Sequence, residues 1–375
     1  MTFFYFCKKI EFLTKYNLHL SVFSTIKCRI VSYTKLKMKK AATIKDIAKA
    51  LGVSVSTVSR ALQDKPEISE ETKYLVRETA KKMKYRPNSM AVALKTQKSY
   101  SIGVVVPQIV SAFYASVVKG IEQVAQGLGY QVFVSSSNED MSKEQKNVYG
   151  FIDHRVDGMI VSLSKATDKF DHIHYIKENN VPLVLFDRTS KEINVPKVVA
   201  NDADAAYLAV SHLIDKGCKR IALLTGPEHM LTGRNRYRGY KAALANHDLA
   251  DDPKLLVRCN LTVEDAREAT RRLLDMDNPP DAIFGINDEV AIGALFAIKE
   301  LGLKIPQEIA VVGFSNSNRS RYMEPSLSTM DQNPEKIGVL AAKLLFEQIE
   351  GKPGYGETKE IIVPATLIVR SSSNK

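Results

Sequence analysis

The chain has 375 residues, 45% hydrophobic and 25% charged, which excludes a disordered or collagen-like polymer and exceeds what one small core needs. Two or three domains are therefore expected. The formal net charge of +11 is lopsided: residues 1–100 hold 21 Lys/Arg against 7 Asp/Glu, whereas residues 101–375 hold 32 against 35. Such an asymmetry points to a polyanionic partner for the N-terminal end alone; a merely soluble basic tail is the plainer alternative, to be weighed against the motifs there. The four cysteines, Cys7, Cys28, Cys218 and Cys259, are scattered without a CxxC pair, so neither a zinc site nor a disulfide scaffold is indicated, and a reducing, cytoplasmic setting fits. No apolar run of about 18 residues exists, so no membrane partner is expected.

Residues 1–37 mix aromatics, lysines and β-branched residues without a helical or strand period. Lys8, Lys9, Glu11 and Lys15 interrupt any signal-peptide core, and Met38 opens "MKKAATIKDIA" just before the first helix. This segment is expected to be a dispensable N-terminal extension with no structural role.

The next stretch, "TIKDIAKALGVSVSTVSRALQDKPEIS" (43–69), predicts two short helices around a tight corner. Thr43 with Asp46 gives a capping-box start, and Ile44, Ile47, Ala48 and Leu51 share one face. Gly52 can enter the left-handed region that ends a helix. Ser54 caps the second helix, with Val58, Ala61 and Leu62 inward. Ser69 caps a third, whose buried stripe is read as Tyr74, Leu75, Val76, Thr79, Ala80 and Met83. Three helices with a tight turn form a small all-α helix-turn-helix headpiece, expected over 41–86. In that geometry the second helix enters the major groove, where the short polar Ser54, Ser56, Thr57 and Ser59 allow close approach and Arg60 reaches a guanine edge or a phosphate.

Pro87 is expected to stop the third helix, and 87–100 to form a hinge helix and linker. "MAVALK" (90–95) is apolar on nearly every side, which suits either a buried connector or a helix that orders on DNA and wedges into the minor groove. From Ser101 onward, apolar runs such as "IGVVVP", "GMIVSL", "PLVLFD", "KVVAN", "RIALLTG" and "IAVVGFS" alternate with amphipathic segments at 113–128, 142–154, 203–216, 234–247, 263–276 and 288–301. Regular β–α alternation means parallel sheets with helices on both faces, and eight or more strands fit two subdomains with a cleft between them better than one sheet. Ligands then sit beyond the strands' carboxyl ends, which draws attention to Asp187, Asn201-Asp202, Asn287-Asp288 and Ser315-Asn316.

"ATIKDIAKALGVSVSTVSRAL", "YRPNSMAVALKTQKSYSIGVVVP", "VDGMIV", "FDR", "KGCKRIALLTGP", "NDEVAIGAL" and "VVGFSN", in this order, resemble the LacI/GalR family of bacterial repressors over residues 41–370. The resemblance implies a helix-turn-helix headpiece plus an α/β core of two periplasmic-binding-protein-like subdomains, roughly 101–187 with 332–352 and 188–331 with 353–375. It further implies a homodimer, a double-stranded DNA operator and a small-molecule effector. Carried over residue by residue, Val55, Ser56 and Arg60 match base-reading positions, and Thr57 and Ser59 match positions that hold phosphates or neighbouring structure. Thr43 and Ser54 join this DNA-facing set, as do Asn88, Ala91, Leu94 and Lys95 in the hinge, with Leu94 as the wedge. Effector positions are matched by Phe113, Tyr114 and Asp187 on one subdomain and by Thr232, Arg236, Leu261, Asn287 and Ser315 on the other, with Gln332 at a crossover.

Two departures shape the expected ligand. At Ser315 many relatives carry an aspartate that clamps sugar hydroxyls; serine keeps a donor and an acceptor but not the charge. Met230 stands where a purine-responsive relative offers arginine, which disfavours a purine and leaves a sugar or sugar derivative. No cofactor is expected. GxGxxG after a strand, GxxxxGK[ST] and GxSxG are all missing, so an enzyme is not supported. "HIH" at 172–174 has no third ligand nearby in sequence and reads as surface. A periplasmic sugar-binding protein shares the expected core, but would need a cleavable signal in place of a DNA-binding headpiece. "ATLIVRSSSNK" reads as a strand and a polar tail with no heptad repeat; since the resemblance implies a homodimer, with tetramers formed through a C-terminal helix, a dimer without further assembly is expected.

Overall fold

The computed structural model describes residues 42–85, 98–351 and 359–375, in two compact units divided near residue 92. The extension 1–37 and residues 87–97 of the hinge and linker fall outside the described residues. In the first unit, α1 (Ile44–Leu51), α2 (Val55–Leu62) and α3 (Glu70–Lys82) pack around Ile47, Ala48, Val58, Ala61, Val76 and Ala80. Gly52 closes α1 at φ 66°, and Ser54 and Ser69 accept hydrogen bonds from Thr57 N and Thr72 N as expected of caps. The α3 stripe needs correction. Tyr74, Leu75 and Met83 are exposed, and the inward side carries Lys73, Val76 and Ala80. At 100° per residue, 73, 76 and 80 share a face that 74 and 75 leave. Lys73 is buried because Glu70 (2.7 Å) and Asp64 (3.2 Å) neutralise it.

The second unit holds two six-stranded sheets. Its chain order begins β1 (Ser101–Val106), α4 (Ala112–Gly127), β2 (Gln131–Ser136), α5 (Met141–Asp153), β3 (Gly158–Val161), α6 (Asp171–Glu178), β4 (Leu183–Phe186) and β5 (Lys197–Ala200). It continues with α7 (Asp202–Asp215), β6 (Ile221–Thr225), α8 (Leu231–Asn246), β7 (Leu256–Arg258), α9 (Val263–Leu274), β8 (Ala282–Gly285), α10 (Asp288–Glu300), β9 (Ala310–Phe314), α11 (Asn318–Tyr322) and β10 (Ser328–Asp331). Last come α12 (Pro334–Ile349), β11 (Glu360–Val363) and β12 (Thr366–Ile368). The first sheet runs β11-β5-β4-β3-β1-β2, all parallel; the second runs β12-β10-β9-β8-β6-β7, with β12 alone antiparallel. Central strands β1, β3, β4, β6, β8 and β9 are buried throughout, which is why they read as unbroken apolar runs.

The subdomain boundaries differ from the expected ones. β5 pairs with β4 (Phe186↔Val198) and with β11 (Val198↔Ile361), so the first subdomain runs on to Ala200 and reclaims 360–363. β4 and β5 are recognisable as apolar runs, but a strand's partner is set by sheet order, which hydrophobic periodicity does not encode. The chain crosses between sheets after Ala200, after Asp331 and after Val363. Asn201 ties two of these crossings, its Oδ1 accepting from Ala365 N at 2.8 Å and its N donating to Val363 O. The terminal serines are also no free tail: Ser372 and Ser373 are fully buried, donating to Val311 O and Ser328 Oγ. Helices α4 and α12 touch backbone to backbone at Gly120 and Gly338; a Cβ at Gly338 would stand 2.0 Å from Val117 O. Among the described residues, no helix is long and apolar enough to cross a membrane.

Candidate functional site

The first unit presents one face of α2. Val55, Ser56 and Arg60 are exposed there, and Thr57 and Ser59 are half-buried. The hydroxyls are organised rather than free: Ser54 Oγ lies 2.7 Å from Ser56 Oγ and 2.8 Å from Thr57 Oγ1 while it caps the helix. Thr43 is committed to α1, its N and Oγ1 both donating to Asp46 at 2.8 and 2.7 Å. Among the described residues, the Arg60 guanidinium has no hydrogen-bond or ion-pair partner. A helix surface of compact hydroxyls with one extended cation suits close approach to base edges and phosphates. Asn88, Ala91, Leu94 and Lys95 lie outside the described residues.

The second unit holds a cavity of about 560 Å³ framed by both subdomains, and all nine expected effector positions line it. Phe113 and Tyr114 come from the first turn of α4, edge to face at 5.1 Å. Asp187 follows β4 and accepts from Tyr114 Oη at 2.8 Å. Burial raises its carboxyl above the ordinary value, with Arg188, Arg236 and the Tyr114 hydroxyl pulling the other way. From the second subdomain, Thr232 and Arg236 project from α8, Leu261 precedes α9, Asn287 caps α10 and Ser315 follows β9. Ser315 Oγ donates to Gln332 Oε1 at 3.3 Å, at the second crossover. Asp187 (φ 55°), Leu261 (φ 63°) and Ser315 (φ 128°) all hold positive φ without being glycine. Left-handed backbone is unusual for a bulky leucine, and such strain of roughly 1–3 kcal/mol per residue concentrates at ligand sites.

The electrostatics of the floor were not legible beforehand. Arg236 is 6% exposed; its Nε donates to Asp202 Oδ1 at 2.8 Å, a second guanidinium nitrogen lies 2.8 Å from the same oxygen, and the third donates to Ile286 O. Its plane lies over the Phe314 ring, 3.7 Å from the centroid. Asp202 is pushed up to about 6, burial outweighing the pull of Arg236. Arg188 is held by both oxygens of Glu139 at 2.8 Å, and exposed Arg319 pairs with Glu289 at 3.0 Å. The signal for Asp202 was its place directly after a strand; Glu139 and Lys165 also follow strands, β2 and β3, and the same rule would have found them.

Behind this wall, the "HIH" segment is only half surface. His172 is fully buried, its Nε2 2.8 Å from Glu144 Oε1, whereas His174 is exposed. Glu144 also accepts from Ser164 N and Thr167 Oγ1, and so fixes the loop after β3.

A helix-turn-helix with an exposed arginine, in one chain with a two-sheet core that frames a cavity of mixed polar and apolar lining, defines a DNA-binding regulator with a ligand-binding core. Residues 43–88 match the model of "Bacterial regulatory proteins, lacI family", and residues 99–371 match that of "Periplasmic binding proteins and sugar binding domain of LacI family". The chain belongs to the LacI family of transcription regulators, which are not enzymes. It is 33% identical over 331 residues to the ribose operon repressor of Halalkalibacterium halodurans, covering 88% of this chain and 97% of that one. It is also 33% identical over 338 residues to the transcriptional repressor CytR of Escherichia coli K12, covering 90% and 98%. In structure it resembles the Lac repressor dimer bound to operator and the anti-inducer ONPF, with a TM-score of 0.79 at 26% identity over 89% of this chain and 99% of that one.

Proposed function

We propose that the chain is a repressor that binds a pseudo-palindromic operator as a homodimer and is switched by a sugar or sugar derivative in the core cavity. The observation that carries this is the convergence of Phe113, Tyr114, Asp187, Thr232, Arg236 and Asn287, from two subdomains, on one cavity. The mixture suits a polyhydroxyl ring. Phe113 and Leu261 supply apolar wall, Asn287 keeps its amide donors after its oxygen accepts from Val290 N, and Asp187 keeps one carboxylate oxygen beyond the one held by Tyr114. Half-buried Arg188 and buried Arg236 are already neutralised by Glu139 and Asp202, so the floor offers directed hydrogen bonds rather than free positive charge. A ligand touching both halves favours the closed core by its differential affinity and by no more than that. In the symmetric dimer, a change of closure alters the spacing of the two hinges at 87–100 and with it the hold on DNA. The test is a thermal-shift screen of neutral sugars on the full chain, with calorimetry on any that bind. Binding that is lost in Asn287→Ala supports the assignment; binding unaffected by Asn287→Ala moves the site elsewhere.

A further inference from the structure

Away from the three crossovers, Lys165 makes two hydrogen bonds that span the subdomains. Its Nζ donates to Asn260 O at 2.6 Å, and its main-chain O lies 2.6 Å from His229 Nε2. Both partners adjoin cavity-lining residues, Asn260 beside Leu261 and His229 beside Met230. Lys165 itself lines the main cavity, while Ser164, Thr167 and His229 line a smaller one of about 130 Å³ that shares Arg188, Met230 and Thr232 with it. One residue thus stands between two cavities and joins the two loops that form the far wall.

The loop that presents Lys165 is built to hold still. Buried Glu144 takes Ser164 N at 2.5 Å, Thr167 Oγ1 at 2.9 Å and His172 at 2.8 Å. Lys165 N donates to Glu139 Oε2 at 2.8 Å, on the carboxylate that also holds Arg188 next to Asp187. The displacement of Lys165 is therefore linked through Glu139 to the cavity floor on its own side, and through Asn260 and His229 to the wall on the other side.

We infer that Lys165 is a positioning residue that latches the two subdomains together and sets how readily the cavity opens. This rests on the cavity being the effector site, and it adds the element that governs entry and release. A bond between exposed groups competes with water, so each contact is modest; a latch of two such bonds tips a balance rather than locking a door. Asn260 is itself braced, its N donating to Asp265 Oδ2 at 2.6 Å, so the pull on Nζ is transmitted to the start of α9 instead of being absorbed by a loose loop.

The test needs no effector and so separates this inference from the identity of the ligand. Hydrogen–deuterium exchange is followed on the full, ligand-free chain for wild type, Lys165→Met and Lys165→Arg. Lys165→Met is expected to speed exchange on the order of tenfold in 226–232 and 259–263, and also across the cavity at 111–114, while Lys165→Arg, which keeps a donor, stays close to wild type. His229→Phe, which removes the second bond, is expected to act in the same three segments. Unchanged exchange overturns the latch. So does a rise confined to 259–263, which reports a local contact only, and so does a uniform rise over both sheets with no rescue by arginine.

Discussion

Arg60 and Arg236 carry the same side chain in opposite circumstances. Arg60 stands exposed on α2 with no side-chain partner among the described residues, which leaves its guanidinium for a second molecule. Arg236 is buried and committed to Asp202, Ile286 O and the Phe314 ring. The two regions therefore recognise by different means. The α2 face is an exposed surface of pre-arranged hydroxyls and one arginine on a short helix, and its ligand supplies the further partners. The cavity is preorganised: its charges are balanced in advance, so its ligand exchanges water for directed hydrogen bonds without meeting a loose cation. A substitution on α2 should change binding without changing the fold, whereas one on the cavity floor should change both.

The largest effect should come from Arg236→Ala. It leaves Asp202 buried without its counter-ion, which costs about 3–5 kcal/mol, so the core's melting temperature should fall sharply. Arg236→Lys keeps the charge but not the fork, and is expected to retain most of the stability while losing effector affinity by calorimetry. If Arg236→Ala melts like wild type, the floor is not the preorganised assembly described here.

Arg60→Ala is the counterpart. Operator affinity should fall by about 1–3 kcal/mol with no change in melting, provided the guanidinium reads a base edge. Equal weakening on operator and on random DNA, with a shallower salt dependence, would assign Arg60 to phosphate instead.

Acidity separates the two properties of the floor. Because the Asp202 carboxyl is raised to about 6 against an ordinary 3.8, the native chain takes up this proton more readily than the unfolded one. This group therefore adds stability as pH falls from about 6 towards 3.8, and that stability is absent at pH 7. Protonation also removes the charge that orients the Arg236 fork. Effector affinity is expected to drop between pH 7 and pH 5, and the core's melting temperature should show no loss attributable to Asp202. Calorimetry and melting curves at both pH values check this, and Asp202→Asn should show the low-pH affinity at pH 7.

The smallest effect is expected at Ser54. Ser54→Ala deletes the α2 cap, costing about 1 kcal/mol, and should lower headpiece stability and operator affinity together. A loss of affinity with no loss of stability would make Ser54 a DNA contact rather than a cap.

Much of this architecture was legible because local rules dominate it. Caps at Ser54 and Ser69, the left-handed Gly52 and the apolar runs of the central strands are all written within a few residues. The edge and near-edge strands were less visible. β7 has 3 residues, β11 alternates in burial, and β10 (STMD) buries Ser328 and Thr329, whose hydroxyls bond to Arg370 O and Asp288 Oδ1, so polarity masked a strand. In α3, Tyr74, Leu75 and Met83 are apolar yet exposed, so hydrophobicity alone overstates the width of the buried stripe. The positions lining the cavity followed from strand ends and family likeness. The partners that balance them did not: Asp202 with Arg236 and Glu139 with Arg188 pair residues 34 and 49 positions apart, and only the folded sheets bring them together.

The central claim is that a ligand in the cavity controls the hold on DNA. Its most direct test is operator affinity, on a site selected from random DNA, with and without a saturating sugar found by the thermal screen. Wild type should change its affinity by about 5- to 150-fold on adding the sugar, and Asn287→Ala should respond weakly while keeping its sugar-free affinity. A wild-type affinity that is the same at saturating sugar, with the sugar shown to occupy the cavity, would contradict the account.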